Sequence, residues 1–141
     1  MTEKVLLKIR ATQEIDGEEP EVMELQTEGT LQTFRDRTEL SYAETEMTGL
    51  EGVTTSFVLY GKERIVLRRT GDKLSNEMCF MLGEKHNSLY EMEFGTLLLT
   101  VEARRMELHP ESGWFEVEYD VAVEHSMMGV NTYRVEFFPK K

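Results

Sequence analysis

Phe115-Glu-Val-Glu-Tyr-Asp-Val-Ala-Val123 decides how the rest of the chain is read. Phe115, Val117, Tyr119, Val121 and Val123 take the odd positions, and Glu116, Glu118 and Asp120 stand between them. A period of two is that of a β-strand with one dry and one wet face. Upstream, Leu97, Leu99, Val101 and Ala103 form one row and Thr96, Thr100, Glu102 and Arg104 the other, with turn residues from Pro110 to Gly113 in between. Thr96 to His125 is therefore expected to fold as a β-hairpin whose outer face is solvated.

The same rhythm runs outward in both directions. Val5, Leu7 and Ile9 alternate with Leu6, Lys8 and Arg10 until the polar stretch Asp16 to Pro20. Val22 to Phe34 alternates loosely around Gly29, which fits either one long strand with a bulge or two short strands. Leu40 and Tyr42 share a face with Glu44 and Glu46, Thr48 to Gly52 ends that strand, and Val53, Thr55, Phe57 and Leu59 follow. Ile65, Leu67 and Arg69 make one row, and Met78, Phe80 and Leu82 another. Gly83 to Asn87, which contains His86, reads as a turn. Tyr90, Met92 and Phe94 then form an inward row, and at Gly95 the phase moves from even to odd positions, as a hairpin turn or a bulge produces. Tyr133, Val135 and Phe137 close the series.

No stretch carries a helical stripe, and turn signals recur about every ten residues, the spacing of all-β folds. Consecutive hairpins leave sticky edges unless the sheet closes on itself. The expected architecture is an antiparallel up-and-down β-barrel of about eight to ten strands, one domain over residues 1–141.

Composition narrows the function classes. The chain carries 16 Lys and Arg against 27 Asp and Glu, a net charge of -11, which repels a phosphate backbone and argues against nucleic-acid binding. Residues 1–60 hold 5 basic and 13 acidic side chains and residues 61–141 hold 11 and 14, so an anion site belongs in the second part. Cys79 is the single cysteine. It fits a reducing compartment and, within its apolar run, a small core filler. Met1 to Arg10 lacks a signal-type apolar run and no stretch has the length of a membrane span, which together give an expected cytoplasmic location and no membrane partner.

Three motif groups in this sequence resemble the YwiB-like family of bacterial β-barrel proteins. They are Leu40-Ser-Tyr42-Ala-Glu44, Arg69-Thr-Gly71, and Tyr90-Glu-Met92-Glu-Phe94-Gly95 followed by Leu97 and Leu99, with Gly113 and Tyr119 also fitting. The resemblance spans nearly the whole chain and implies a lipocalin-like (calycin-type) barrel in a bacterial cytoplasm. It implies no activity. Lipocalin analogy suggests a ligand cavity, by association of folds alone.

Among the side chains, Arg69 is the most informative, because the alternation that buries Ile65 and Leu67 points it inward as well. A guanidinium buried without a partner costs several kcal/mol, so a carboxylate or a bound anion is expected beside it. Glu44, on the face of Leu40 and Tyr42, is the expected internal partner. The bland alternatives are an Arg69 that reaches solvent at the rim and a purely structural pair. His86, His109 and His125 lack ligand spacing, His125 continues an inward row only as its strand ends, and no metal site or cofactor is expected. Glu116, Glu118 and Asp120 read as a solvated outer face. Met78, Met92 and Met23 would give a soft interior. Trp114 is placed either over a barrel end or in an outer patch, and Met127 and Met128 as exposed loop residues.

Two functions follow. The first is a non-enzymatic barrel holding a small amphiphilic or anionic molecule, with Tyr42, Glu44 and Arg69 at its polar head and Phe80, Tyr90, Phe94, Tyr119 and Tyr133 as aromatic walls. The second is a solid barrel that recognises a protein partner or a second copy of itself. No nucleophile and base can be assembled for catalysis.

Overall fold

The computed structural model describes residues 2–15, 18–45, 50–72 and 74–140, with the backbone alone at 127 and 128. Readings that fall on Asp16, Glu46, Thr48 or the side chains of Met127 and Met128 lie outside the described residues.

Ten strands alternate with short connections: β1 (Thr2–Glu14), β2 (Glu21–Thr33), β3 (Thr38–Ala43), β4 (Thr54–Tyr60), β5 (Arg64–Thr70), β6 (Leu74–Met81), β7 (Lys85–Met92), β8 (Gly95–His109), β9 (Trp114–Val123) and β10 (Ser126–Pro139). Each pairs with its sequence neighbours, and β1 pairs antiparallel with β10 from Val5↔Pro139 to Glu14↔Val130, which closes the barrel. This is the expected all-β, antiparallel up-and-down form. Closure satisfies the backbone groups that edge strands would leave open.

The period of two decides what fills it. Leu7, Leu40, Phe57, Ile65, Phe80 and Phe115, all on predicted inward rows, are buried in the core. β2 is one unbroken strand, and Gly29 marks a close approach in place of a bulge. A Cβ there would lie 2.5 Å from the Ser41 carbonyl oxygen and 2.7 Å from Leu7 Cδ1, so only glycine lets β3 join the sheet at this point. The phase change at Gly95 is a tight hairpin with Met92↔Gly95 as its last pair. A bulge between Ala103 and Arg105 shifts β8 against β9.

Some side chains sit elsewhere than the alternation suggested. Phe94 is 94% exposed, because β7 ends at Met92 and Phe94 stands in the hairpin turn beyond the last inward position. His86 lies within β7, half-buried, since the polar run around it is strand and not turn. His125 is exposed in the β9–β10 turn at a φ of 71°. Cys79 pairs with Val66 on the outer face and is half-buried. Its burial raises the thiol pKa, with Arg64 opposing, so it is a poor nucleophile. Met23 is exposed. Trp114 lies on the outer face, its ring 4.4 Å from the Arg134 guanidinium and 4.6 Å from the His109 ring. No helix of the described residues is long and apolar enough to cross a membrane.

A candidate anion site at the polar end of the barrel

β3, β5, β7 and β9 finish, and β4, β6, β8 and β10 begin, at the same end of the barrel. Four inward side chains near that end stand in one cross-strand row: Tyr42 is paired with Thr55, Thr55 with Arg69, and Arg69 with Asn76. Directly opposed residues of neighbouring strands bring their Cβ atoms to about 5 Å, so this row is a continuous polar belt on the inner wall. Tyr119 and Tyr133 face it from β9 and β10, their rings stacked with centroids 6.3 Å apart.

The hydrogen bonds divide the belt in two. Thr55 Oγ1 donates to Glu44 Oε2 at 2.6 Å, and the Tyr42 hydroxyl also bonds the Glu44 carboxylate. Arg69 Nη2 donates to the Tyr133 hydroxyl at 2.8 Å. The expected ion pair of Arg69 with Glu44 is not made: Glu44 accepts from the Thr55 hydroxyl, and among the described residues no carboxylate pairs with Arg69. Arg69 Nε is buried and has no acceptor among them either. Burial works against the charge on Arg69; Tyr133, Tyr42 and Tyr119 favour that charge strongly only as phenolates, so near neutral pH the guanidinium stays charged with the Tyr133 hydrogen bond offsetting part of its desolvation.

Beyond Arg69 the wall itself changes. β6 and β7 pair only at Leu74↔Met92 and Ser75↔Glu91, whereas β5 and β6 pair over seven residues from Arg64↔Met81 to Thr70↔Ser75. Asn76 bridges the seam with its side chain, donating from Nδ2 to the Leu89 carbonyl at 3.2 Å and to Ser88 Oγ at 3.3 Å. A depression of about 400 Å³ lies over this seam, lined by Arg68, Asn76, Glu77, Asn87, Ser88 and Leu89 among others.

A family model described as a domain of unknown function, DUF1934, matches residues 7–135. The chain belongs to that family. This DUF1934 chain is similar to the crystal structure of the ywiB protein from Bacillus subtilis, with 20% identity and a TM-score of 0.75 over 99% of this chain and 94% of that one. The family resemblance read in the motifs is thereby borne out, and at this identity the structural likeness shows the fold alone. No curated protein matches the chain.

In this DUF1934 barrel the predicted site residues separate into three groups. Tyr42, Glu44, Arg69, Tyr119 and Tyr133 come together at the polar end. Phe80 is packed into the dry core with its ring 4.5 Å from Tyr119, and Tyr90 packs against that core from β7. Phe94 is outside and lines nothing within the barrel. Thr55 and Asn76 went unrecognised in the sequence. The signal for Asn76 was present, a polar residue in register with Met78 and Phe80.

The tyrosines give the layer a pH signature. Burial, with the Glu44 charge next, pushes the Tyr42 phenol well above its ordinary value of 10.0, and burial does the same to Tyr119 with Tyr133 adding to it. Below pH 10 both phenols are protonated in folded and unfolded chains, so the shifts cost nothing there. Above it the unfolded chain releases protons that the folded one keeps, and stability falls as pH rises. The expected outcome is that, in an alkaline titration followed by phenolate absorbance, these two phenols ionise only as the barrel unfolds. Their ionisation at pH 10 in a folded molecule would contradict the burial described.

Proposed function

We propose that this protein is a cytoplasmic, non-enzymatic binder of a small amphiphilic or anionic molecule, whose charged group is received by Arg69 at the polar end of the barrel. One observation carries the reading: an inward guanidinium held by a phenol hydroxyl, with no carboxylate partner among the described residues and a buried Nε–H that lacks an acceptor. Burying a charge in this way costs several kcal/mol unless something compensates it. A bound anion compensates it. Tyr42, Glu44, Tyr119 and Tyr133 set the shape around the head group, while the packed core beyond Phe57 and Phe80 leaves the rest of the ligand toward the barrel end and its β6–β7 side.

Octanoate titrated calorimetrically at low salt tests this. Saturable binding is expected in the wild type, weakened about tenfold to a hundredfold in Arg69→Met, the equivalent of one charge-assisted hydrogen bond. Binding that ignores the substitution, or no saturable binding, defeats the reading. A second reading is favoured by the exposure of Leu82, Leu89 and Phe94, which suits an outer surface that meets a protein partner or a second copy of the chain. Native mass spectrometry of protein from its own host separates the two, by an adduct of small mass or a second polypeptide.

A further inference from the structure

Arg69 and Asn76 are cross-strand partners on the inner wall, and each carries an unanswered polar atom. The orientation of the Asn76 amide is fixed, because the Leu89 backbone carbonyl that Nδ2 reaches can only accept. Its Oδ1 is therefore an acceptor. The residue is 3% exposed and that oxygen has no donor among the described residues. Beside it, Arg69 Nε–H is a buried donor with no acceptor. Each such orphan is unfavourable when buried, and although the two stand on neighbouring strands they do not answer one another.

A bare carboxylate suits only half of this pair. Its oxygen accepts from Arg69 Nε–H, but it sets lone pairs against Asn76 Oδ1. A carboxylate with a hydroxyl or ammonium group on the adjoining carbon suits both, the anion facing the guanidinium and the O–H or N–H donating to Oδ1. The wall at this point is also thin. Asn76 and Ser88 belong to inward rows, yet both line the outer depression of about 400 Å³ over the β6–β7 seam. That depression stops at Asn76 and is not lined by Arg69, so a ligand entering here must part the β6–β7 seam, with exposed Leu89 as an apolar contact for the remainder of the molecule.

We infer that Arg69 and Asn76 form one composite site for a 2-hydroxy or 2-amino carboxylate, seated at the β6–β7 seam. The inference rests on the anion-binding reading of Arg69 and narrows it to a ligand class.

The experiment compares 2-hydroxyoctanoate with octanoate by calorimetry on the wild type and on Arg69→Met, Asn76→Leu and Asn76→Asp. The wild type is expected to bind the hydroxy acid about tenfold more tightly, the value of one added hydrogen bond. Asn76→Leu should erase that preference, so that the two acids bind the variant with affinities equal to within about twofold, on the same scale. Asn76→Asp places a carboxylate against Arg69 and should exclude both acids without loss of thermal stability. Equal wild-type affinities for the two acids overturn the inference, and so does an Asn76→Leu that weakens both alike. Should Asn76→Leu fail to fold, undiminished binding to Asn76→Asp overturns it instead. If neither acid shows Arg69-dependent binding, the anion reading itself falls and takes this one with it, a pattern distinct from equal, Arg69-dependent affinities.

Discussion

Phe57→Ala is expected to remove about 3–5 kcal/mol of folding free energy, the usual loss for a buried phenylalanine whose site cannot collapse. Phe57 is 2% exposed and sits where three other rings meet: Phe115 edge-on at 5.3 Å, Tyr133 edge-on at 6.0 Å and Tyr42 stacked at 6.5 Å. Barrel walls are tied by backbone ladders on all sides, so the strands around β4 have little freedom to close the void. A loss of this size is a large share of the roughly 5–15 kcal/mol that holds an ordinary domain folded. Urea denaturation should show a midpoint lowered in proportion, with an unchanged slope. The consequence reaches the polar end, because Tyr133 takes its position from Phe57 and is the hydroxyl that holds Arg69. A loss below about 1 kcal/mol, the scale of an ordinary surface change, would mean that the aromatic cluster is looser than its ring distances indicate.

How far the sequence could be read follows from what alternation encodes. It tells which face a side chain takes, and on that basis Arg69, Tyr42, Tyr119 and Tyr133 are found on the inner wall as expected. It does not tell which residue stands opposite, because register between strands is set by turns and bulges along the whole meander. For that reason alternation points to Glu44 as the partner of Arg69, while the ladder places Thr55 and Asn76 directly across from it. The β6–β7 seam was invisible for the same cause: nothing in Asn76–Met81 or Lys85–Tyr90 announces that the ladder stops at Ser75↔Glu91. Phe94 shows the opposite failure. Its spacing from Tyr90 and Met92 continues the pattern, but the chain has already turned, and a pattern cannot mark its own last residue. In the sequence Gly29 fits a bulge or a break because a strand glycine has several causes, and the cause here is the crowded approach of Ser41 and Leu7.

Arg69→Met, measured without any added anion, should leave the barrel as stable as the wild type or more stable by about 1–4 kcal/mol, as when buried ionic groups give way to apolar ones of similar volume. The direction follows from what Arg69 holds. Among the described residues its side chain donates to the Tyr133 hydroxyl, which the substitution leaves without that donor, a loss of about 1 kcal/mol. Against this stands the desolvation of a guanidinium with no carboxylate partner among the described residues, which is worth several kcal/mol. Methionine fills much of the same space with a flexible apolar chain and faces the same Tyr133 and Tyr119 rings. A structural arginine would behave otherwise, since removing one member of a buried ion pair costs about 3–5 kcal/mol. Thermal and urea unfolding of the two proteins therefore distinguish an arginine kept for what it binds from one kept for what it braces. A gain in stability together with the loss of octanoate binding is the signature of a site held open at the expense of the fold. A destabilisation of several kcal/mol would place Arg69 in the architecture and remove the ground for the anion site.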